Sequence, residues 1–203
     1  LYTAYIDLFI HLAASHDLHS MLLSAGALYK LISIVESASG MFKQAEKLAI
    51  VLENLINKST ITFEPFLNLN GLSVIVKRIV ELVGIYSADN SSFLAALLRI
   101  VERLLLTFGS EDRMRNLGES ALFDALEKIM SGEFASTVVR GHAYAITAAF
   151  IHNEPTSLSV LQERRVPQAL IDSVCRNIDV DGDLVAGLML AFGATCLNSE
   201  GER

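Results

Sequence analysis

The histidines near the amino terminus are the first residues whose type could support metal chemistry. His11, His16 and His19 are separated by five and three residues. Asp17 lies among them, and imidazole nitrogens together with a carboxylate are ligands that zinc accepts. These spacings do not place all three rings on one face of a helix. We therefore interpret them as surface or turn histidines and predict no metal site.

An acidic run, DVDGD at 179–183, has the composition of a calcium-binding loop. A loop of the EF-hand type needs a glycine at position 6 and a bidentate glutamate at position 12. Counted from Asp179, the twelfth residue is Leu190, and the glycine is misplaced. We interpret the run as a turn that caps the last helix.

The two cysteines could act as nucleophiles only beside a base. Cys175 and Cys196 lack a CxxC spacing, and no motif places the nearest histidine, His152, against either thiol. Phosphate-binding, dinucleotide-binding, HExxH and GxSxG motifs are also absent from the sequence. We predict buried free thiols in a reducing compartment, cytoplasm or nucleus, and a segment without catalytic residues or cofactors.

Several arginines recur at comparable places along the chain and could form a basic ridge that binds proteins. The candidates are Arg99, Arg103, Arg164 and Arg165, with Arg113 and Arg115 nearby. The alternative is an ordinary solvated face, because Glu102 and Glu163 are interleaved with them and would neutralise their charge.

The segment FIHNEPTSLSVLQ, at 150–162, reads as a tight corner between two helices. Polar side chains at such corners can line the concave groove with which helical arrays bind partners. Asn153 and Glu154 are therefore the first candidates for protein contacts.

The apolar residues recur at helical spacing, which predicts that all these candidates lie on or between α-helices. A representative run steps by four and three residues: Met41, Ala45, Leu48, Leu52 and Leu55. Helix starts are predicted at side chains that can cap free N–H groups or favour the helix dipole, namely Asp17, Ser39, Asn90, Glu111 and Asp181. Pro155 and Pro167 fit first-turn positions.

An internal repeat organises these helices. A small or polar turn is followed by a branched apolar residue and a helix, in copies anchored on Leu28, Leu72, Leu122 and Val166, with separations of 44, 50 and 44 residues. Such a period is typical of armadillo and HEAT arrays. We predict an all-α, armadillo/HEAT-like solenoid of about four repeats, 1–62, 63–110, 111–154 and 155–197, with a further unit beginning at 198–203. The longer step predicts an inserted loop at 84–92 or 108–111.

Charge and hydropathy restrict the partners. The net charge of -7 and the pI near 5.2 argue against nucleic acid as the main partner. The most apolar stretch, 184–197, is shorter than the roughly 20 residues of a membrane-spanning helix, so we interpret it as a buried helix. Because the chain opens on Leu1, we expect a piece of a longer array, whose exposed ends would favour aggregation or dimerisation.

The carboxy-terminal half resembles the amino-terminal region of the giant HECT-type E3 ubiquitin ligases, the Mule family and its fungal counterparts. The matching segments are RNLGESALFDALEKIM at 115–130, FIHNEPTSLSVLQERRVPQALIDSV at 150–174 and AFGATCLNSEG at 191–201. Upstream of Leu98 the similarity is fainter, and NGLSVIVKRIVELV at 70–83 is its main support. Where the family tends to carry Ala-Gly, this chain has Arg164 and Arg165.

The resemblance implies an armadillo-like arm that helps to select protein substrates for ubiquitin transfer. It also implies that a distant HECT domain, with a thioester cysteine that neither Cys175 nor Cys196 matches, performs the chemistry. We therefore expect a non-catalytic scaffold and substrate-binding segment that contacts protein substrates and neighbouring repeats. The alternative is an armadillo or HEAT adaptor unrelated to ubiquitin.

Overall fold

A computed structural model describes residues 2–57, 60–132, 136–153 and 158–177. Within them every regular element is a helix, which confirms the all-α prediction. The α-helices are α1 (Tyr2–Ala14), α2 (His19–Ser24), α3 (Ala27–Ser37), α4 (Phe42–Ile56), α5 (Thr60–Asn68), α6 (Gly71–Gly84), α7 (Ser91–Phe108), α8 (Asp112–Arg115), α9 (Leu122–Ser131), α10 (Thr137–Asn153), α11 (Leu158–Glu163) and α12 (Val166–Asn177). Short 3₁₀ turns occupy His16–Leu18 and Asn116–Glu119.

The chain forms two compact units, Leu1–Ile100 and Val101–Arg203, and the division falls inside α7. In the first unit, α1 packs along α4, and α3 packs on both α4 and α6. In the second unit, α9 packs on both α10 and α12. The large side chains in these contacts are completely buried, for example Leu52 and Ile79 in the first unit and Phe123 and Tyr144 in the second. Burial of such side chains stabilises each unit by roughly 1.5–3 kcal/mol per residue.

The helices recur in triples of a short first helix, a second helix and a longer third helix. The triples are α2–α3–α4, α5–α6–α7 and α8–α9–α10, and α11 and α12 open another. The four anchor residues predicted from the repeat all lie in the first two positions of a second helix. The repeat therefore marks the start of the second helix in each triple.

Three of the four turns between first and second helices have the same backbone geometry. The last residue of each of these turns has a positive φ: Gly26 at 71°, Asn70 at 55° and Arg165 at 59°. In each case the N–H of that residue binds the carbonyl three residues earlier, and its own carbonyl accepts from the N–H four residues later. The corresponding turn before α9 differs, because Ser120 and Ala121 have negative φ values.

Arg165 is a poor residue for this geometry, and Arg165→Gly is expected to stabilise the second unit. A side chain in the left-handed region costs about 1–2 kcal/mol, and glycine returns part of that through its greater freedom in the unfolded chain, so the net gain is about 0.5–1 kcal/mol. Urea unfolding measures it. Arg164→Gly is the matched control: it should destabilise, because Arg164 binds Asp124 at 2.7 Å. Equal effects of the two changes on stability would contradict the different roles assigned to Arg164 and Arg165.

The longer step between the second and third anchors has several sources. Relative to α3 and α4, which have 11 and 15 residues, α6 and α7 have 14 and 18. The connection before α7, residues 85–90, is two residues longer than the connection 38–41 before α4. The predicted inserted loop is thus only part of the difference, because longer helices absorb most of the added residues.

The predicted helix starts can be compared with the helix bounds one by one. Asn90 immediately precedes α7 and is buried, where its Oδ1 accepts the N–H of Ser87 and its amide donates to the Ile85 carbonyl. Glu111 precedes α8, and Pro167 lies in the first turn of α12, as predicted. The helix predicted at the Ser39 turn is present, and it begins at Phe42, because Gly40 in the left-handed region (φ 74°) lengthens the turn. Pro155, Asp181 and the apolar stretch 184–197 lie outside the described residues.

In the described ranges, none of the helices combines the length and the apolar character needed to cross a membrane.

Candidate binding surface

Polar side chains join consecutive third helices within the first unit. Lys47 on α4 binds Asp7 on α1 at 2.7 Å, and Ser92 on α7 donates to Glu46 on α4 at 2.8 Å. Each pair lies 40 to 46 residues apart in sequence, which is one repeat. We call α1, α4 and residues 91–100 of α7 the third-helix surface of the first unit.

A buried carboxylate lies in the middle of this surface. Glu53 on α4 is 5% exposed, although it interrupts the apolar run AIVLENLI. One of its oxygens accepts from Arg99 of α7 through Nε at 2.8 Å and through a terminal guanidinium nitrogen at 2.6 Å. A buried acid needs such a partner, because its desolvation is otherwise uncompensated. Arg99, a predicted binding residue, is therefore also a structural partner of Glu53.

Polar side chains also connect the two third-helix segments of the second unit, which are α10 and residues 101–108 of α7. His142 on α10 contacts Glu102 on α7, with its ring Nδ1 2.6 Å from the carboxylate oxygen. Near the other end of α10, the Asn153 amide donates to the Leu105 carbonyl of α7 at 3.1 Å. These two segments are the third-helix surface of the second unit.

Asn153 closes the end of α7 against a glycine. The amide of Asn153 also donates to the Ala149 carbonyl at 2.8 Å, so both amide protons have acceptors inside the unit. A Cβ at Gly109 would lie 2.2 Å from the Asn153 amide nitrogen and 2.3 Å from the Leu105 carbonyl oxygen. Gly109 is thus the residue that lets Asn153 reach a carbonyl in the last turn of α7, where helix carbonyls lack helical partners.

Asn153→Ala is expected to destabilise the second unit by about 1 kcal/mol, because the Leu105 carbonyl loses its donor. Asn153→Asp should cost more, since a carboxylate would then face two carbonyl oxygens. Thermal unfolding of the variants measures both effects, and His152→Ala, an exposed neighbour on α10, serves as the control with unchanged stability. A role in partner binding alone would leave all three variants as stable as the parent chain.

The remaining predicted binding residues lie in different places. Arg103 is exposed on α7. Arg164 and Arg165 lie in the turn between α11 and α12, away from the third helices in sequence, and Arg164 also donates to the Ser120 carbonyl at 3.1 Å. Glu154 lies outside the described residues. Within the second unit, Arg103 therefore lies on a third helix, whereas Arg164 and Arg165 lie in a turn between a first and a second helix. The binding roles of all six candidates stay predictions.

The side chains of two of the three amino-terminal histidines, His11 and His19, are described by the structure. His11 is exposed, whereas His19 is buried, with its Nε2 donating to the Ala13 carbonyl at 2.8 Å. The prediction of a surface or turn histidine is therefore wrong for His19, the first residue of α2, whose buried ring binds a carbonyl near the end of α1. Among the described residues no group of three or more histidine, cysteine or acidic side chains could hold a metal ion.

Cys175 corrects a second prediction, because this thiol is exposed and free. It lies two residues after Ser173, which is buried against α9 and donates to the Met130 carbonyl at 3.0 Å. Two residues along a helix correspond to a rotation of about 200°, so Cys175 lies on the outer side of α12. Cys196 lies outside the described residues.

Comparison with protein families gives a direct assignment. Residues 47–203 match the family model described as Domain of Unknown Function (DUF913). The chain belongs to the DUF913 family. The match begins 51 residues before Leu98, where similarity to the ligase family had been faint in the sequence.

Relatives of this DUF913 chain are E3 ubiquitin-protein ligases by name. The protein ptr1 of Schizosaccharomyces pombe is 30% identical over 180 residues, 75% of this chain and 5% of its own length. The probable ligase TOM1 of Eremothecium gossypii is 29% identical, and TOM1 of Saccharomyces cerevisiae 27%, each over 94% of this chain and 6% of its own length. The DUF913 chain thus spans about a twentieth of these relatives. The resemblance to the giant E3 ligases is confirmed.

Solved structures with a similar fold are armadillo proteins. A designed armadillo repeat protein in complex with the peptide (KR)4 has a TM-score of 0.76 and 16% identity, covering 98% of this chain and 78% of that protein. A second designed armadillo repeat protein has a TM-score of 0.75 and the same identity, covering 98% and 77%. These likenesses confirm the armadillo-like fold of the DUF913 chain.

Proposed function

We propose that this chain is a non-catalytic scaffold and substrate-binding segment of a HECT-type E3 ubiquitin ligase. The observation that carries the proposal is the combination of ligase-named relatives with third helices joined repeat by repeat. Arrays of this type present the side chains of successive repeats to protein partners. Ubiquitin transfer itself takes place in a different domain of the same polypeptide, and the protein works in the cytoplasm or nucleus.

The exposed residues of the third helices suggest where a substrate would bind. On α7, Leu106 is 68% exposed and Arg103 lies one turn before it, also exposed. Val138 on α10 is 59% exposed. An apolar side chain beside a cation suits a protein segment that carries both apolar and acidic residues. The ion pairs of Arg99 and Arg164 assign those two arginines a structural role beside any contact with substrate.

The names of the relatives favour this role over an armadillo adaptor unrelated to ubiquitin. The complete sequence of the protein that carries this chain gives a first test, since a carboxy-terminal HECT domain is required. A polypeptide without one would contradict the proposal and support the adaptor.

Crosslinking mass spectrometry of the full-length ligase with a bound substrate tests the binding role. We expect crosslinks from substrate to residues of α7 and α10, including the acidic residue Glu102 beside Arg103. A matched sample without substrate controls for contacts within the ligase. If crosslinks avoid residues 90–203 for every substrate tested, the segment has an architectural role only, and the substrate-binding part of the proposal is wrong.

A further inference from the structure

An apolar cleft lies open at the side of the first unit formed by α1, α3 and α4. Its volume is about 430 Å³. The residues that line it are apolar and come from all three helices: Tyr5, Ile6, Leu8, Phe9 and Leu12 of α1, Ile34 of α3 and Leu48 of α4. Three of them are unusually exposed for their type, Tyr5 at 65%, Leu8 at 55% and Ile34 at 41%. Such a contiguous apolar surface indicates a place where another element packs.

The repeat shows which kind of element this is. In the first unit, α3 is a second helix, and it packs on the third helix α4 and on the next second helix, α6. In the second unit, α9 packs in the same way on α10 and α12. The cleft is bounded by α1, which packs along α4 as a preceding third helix, and by the second helix α3. It therefore occupies the position of a second helix one repeat before α3.

The register of Ile34 supports this placement independently. Ile34 precedes Arg78 by 44 residues, the same separation as that between the anchors Leu28 and Leu72. The guanidinium of Arg78 donates to the Ala38 carbonyl, just beyond the end of α3. Ile34 thus holds the position that, one repeat later, contacts the carboxy-terminal end of the preceding second helix.

We propose that the cleft binds an amphipathic second helix from a preceding repeat of the same polypeptide. The occupant would carry apolar residues at the spacing that α3 itself uses, where Leu28, Leu31, Ile32 and Val35 are all buried. A helix of this pattern covers an apolar groove with one continuous stripe. The inference rests on repeat geometry and on the much greater length of the relatives, and it does not depend on the proposed function.

A second copy of this chain suits the cleft less well. The second helices that could enter it are α3, α6, α9 and α12. Each of them already packs on a helix of its own unit and buries apolar side chains there. A helix of the same polypeptide also has a high effective concentration at the cleft, which a separate molecule lacks.

A photo-crosslinking amino acid at position 8 of the full-length protein, replacing Leu8, tests the proposal. We expect adducts within one amphipathic segment that precedes this chain in the same molecule. A mixture of isotopically light and heavy protein separates intramolecular from intermolecular adducts. The same photo-crosslinker at His11, exposed on α1 and outside the cleft, is the matched control and should not label that segment. Adducts to a second copy, adducts to another protein, or equal labelling from both positions would overturn the proposal.

The variant Leu8→Glu gives a second test of the proposal, which does not depend on crosslinking. In the 203-residue chain alone, its thermal unfolding temperature should match that of the parent, because Leu8 already faces water. In the full-length protein the same change should speed hydrogen exchange of the α1 amides, since it places a charge in a covered groove. Unchanged exchange in the full-length protein would show that nothing packs there and would overturn the proposal.

Discussion

Replacing Gly71 with alanine is expected to destabilise the first unit by about 2–3 kcal/mol, because overpacking of a filled core costs this much. A Cβ at Gly71 would lie 2.2 Å from the ring of Phe66, and that ring is completely buried. The ring therefore cannot move without disturbing its neighbours. Urea unfolding, read as a shift of the midpoint at unchanged slope, measures the loss.

The preceding repeat supplies a compensating variant. At the places that correspond to Phe66 and Gly71, 44 residues earlier, it has Leu22 and Ala27. Leucine is smaller than phenylalanine, and alanine is larger than glycine. The double variant Phe66→Leu/Gly71→Ala recreates that pair and should recover most of the stability lost in Gly71→Ala. The coupling energy between the two sites is then more than about 1 kcal/mol, as for residues in direct contact. Additive effects of the two changes would show that the repeats do not pack alike here.

The second large effect is expected for Arg99→Leu, which leaves the carboxylate of Glu53 buried without its cation. Loss of one partner of a buried pair costs about 3–5 kcal/mol. The side chain of Arg99 is 36% exposed, so water can reach the site and we expect about 2–3 kcal/mol. Denaturant unfolding monitored on the first unit measures the change.

The double variant Glu53→Leu/Arg99→Leu is the matched control for this pair. It removes both charges, so that two apolar side chains replace them between α4 and α7. Such replacements are often neutral in stability, and we expect the double variant to be more stable than Arg99→Leu alone. A double variant that is less stable than the single one would contradict the view that the loss comes from a buried acid deprived of its cation.

The repeat itself could be predicted from the sequence because it depends on local patterns. Apolar spacing and a turn residue recur before each of Leu28, Leu72, Leu122 and Val166, and each anchor begins a second helix. Periodicity of this kind reports which face of a helix is buried, regardless of the partner.

The candidate site was harder to predict because it depends on residues one repeat apart. Nothing local to Asn153 indicates that its amide reaches Leu105, since this contact requires a glycine at position 109. Glu53 was missed for a similar reason, although an acid on the buried side of an apolar run was a usable signal. The exposure of Cys175 depends on which side of α12 faces α9, which composition alone did not establish.

Arg165 has a positive φ, a backbone conformation that the residue type disfavours. The resemblance to the ligase family implies Ala-Gly where this chain has Arg164 and Arg165. The structure places Arg165 in the left-handed region, which glycine favours. At Arg165 the backbone strain is larger than it would be with glycine. In return, Arg164 forms an ion pair with Asp124 and a hydrogen bond to the Ser120 carbonyl.

The most direct test of the scaffold role compares two steps of ubiquitin transfer in the full-length ligase. The variant Arg103→Glu/Leu106→Glu changes only exposed positions of α7, and the variant Lys128→Glu changes an exposed position of α9 outside the third helices as a control. We predict that Arg103→Glu/Leu106→Glu forms the ubiquitin thioester at the parent rate but modifies its substrate about tenfold more slowly, equivalent to about 1.4 kcal/mol of lost binding. Loss of thioester formation, or substrate modification at the parent rate, would contradict a non-catalytic segment that presents substrates.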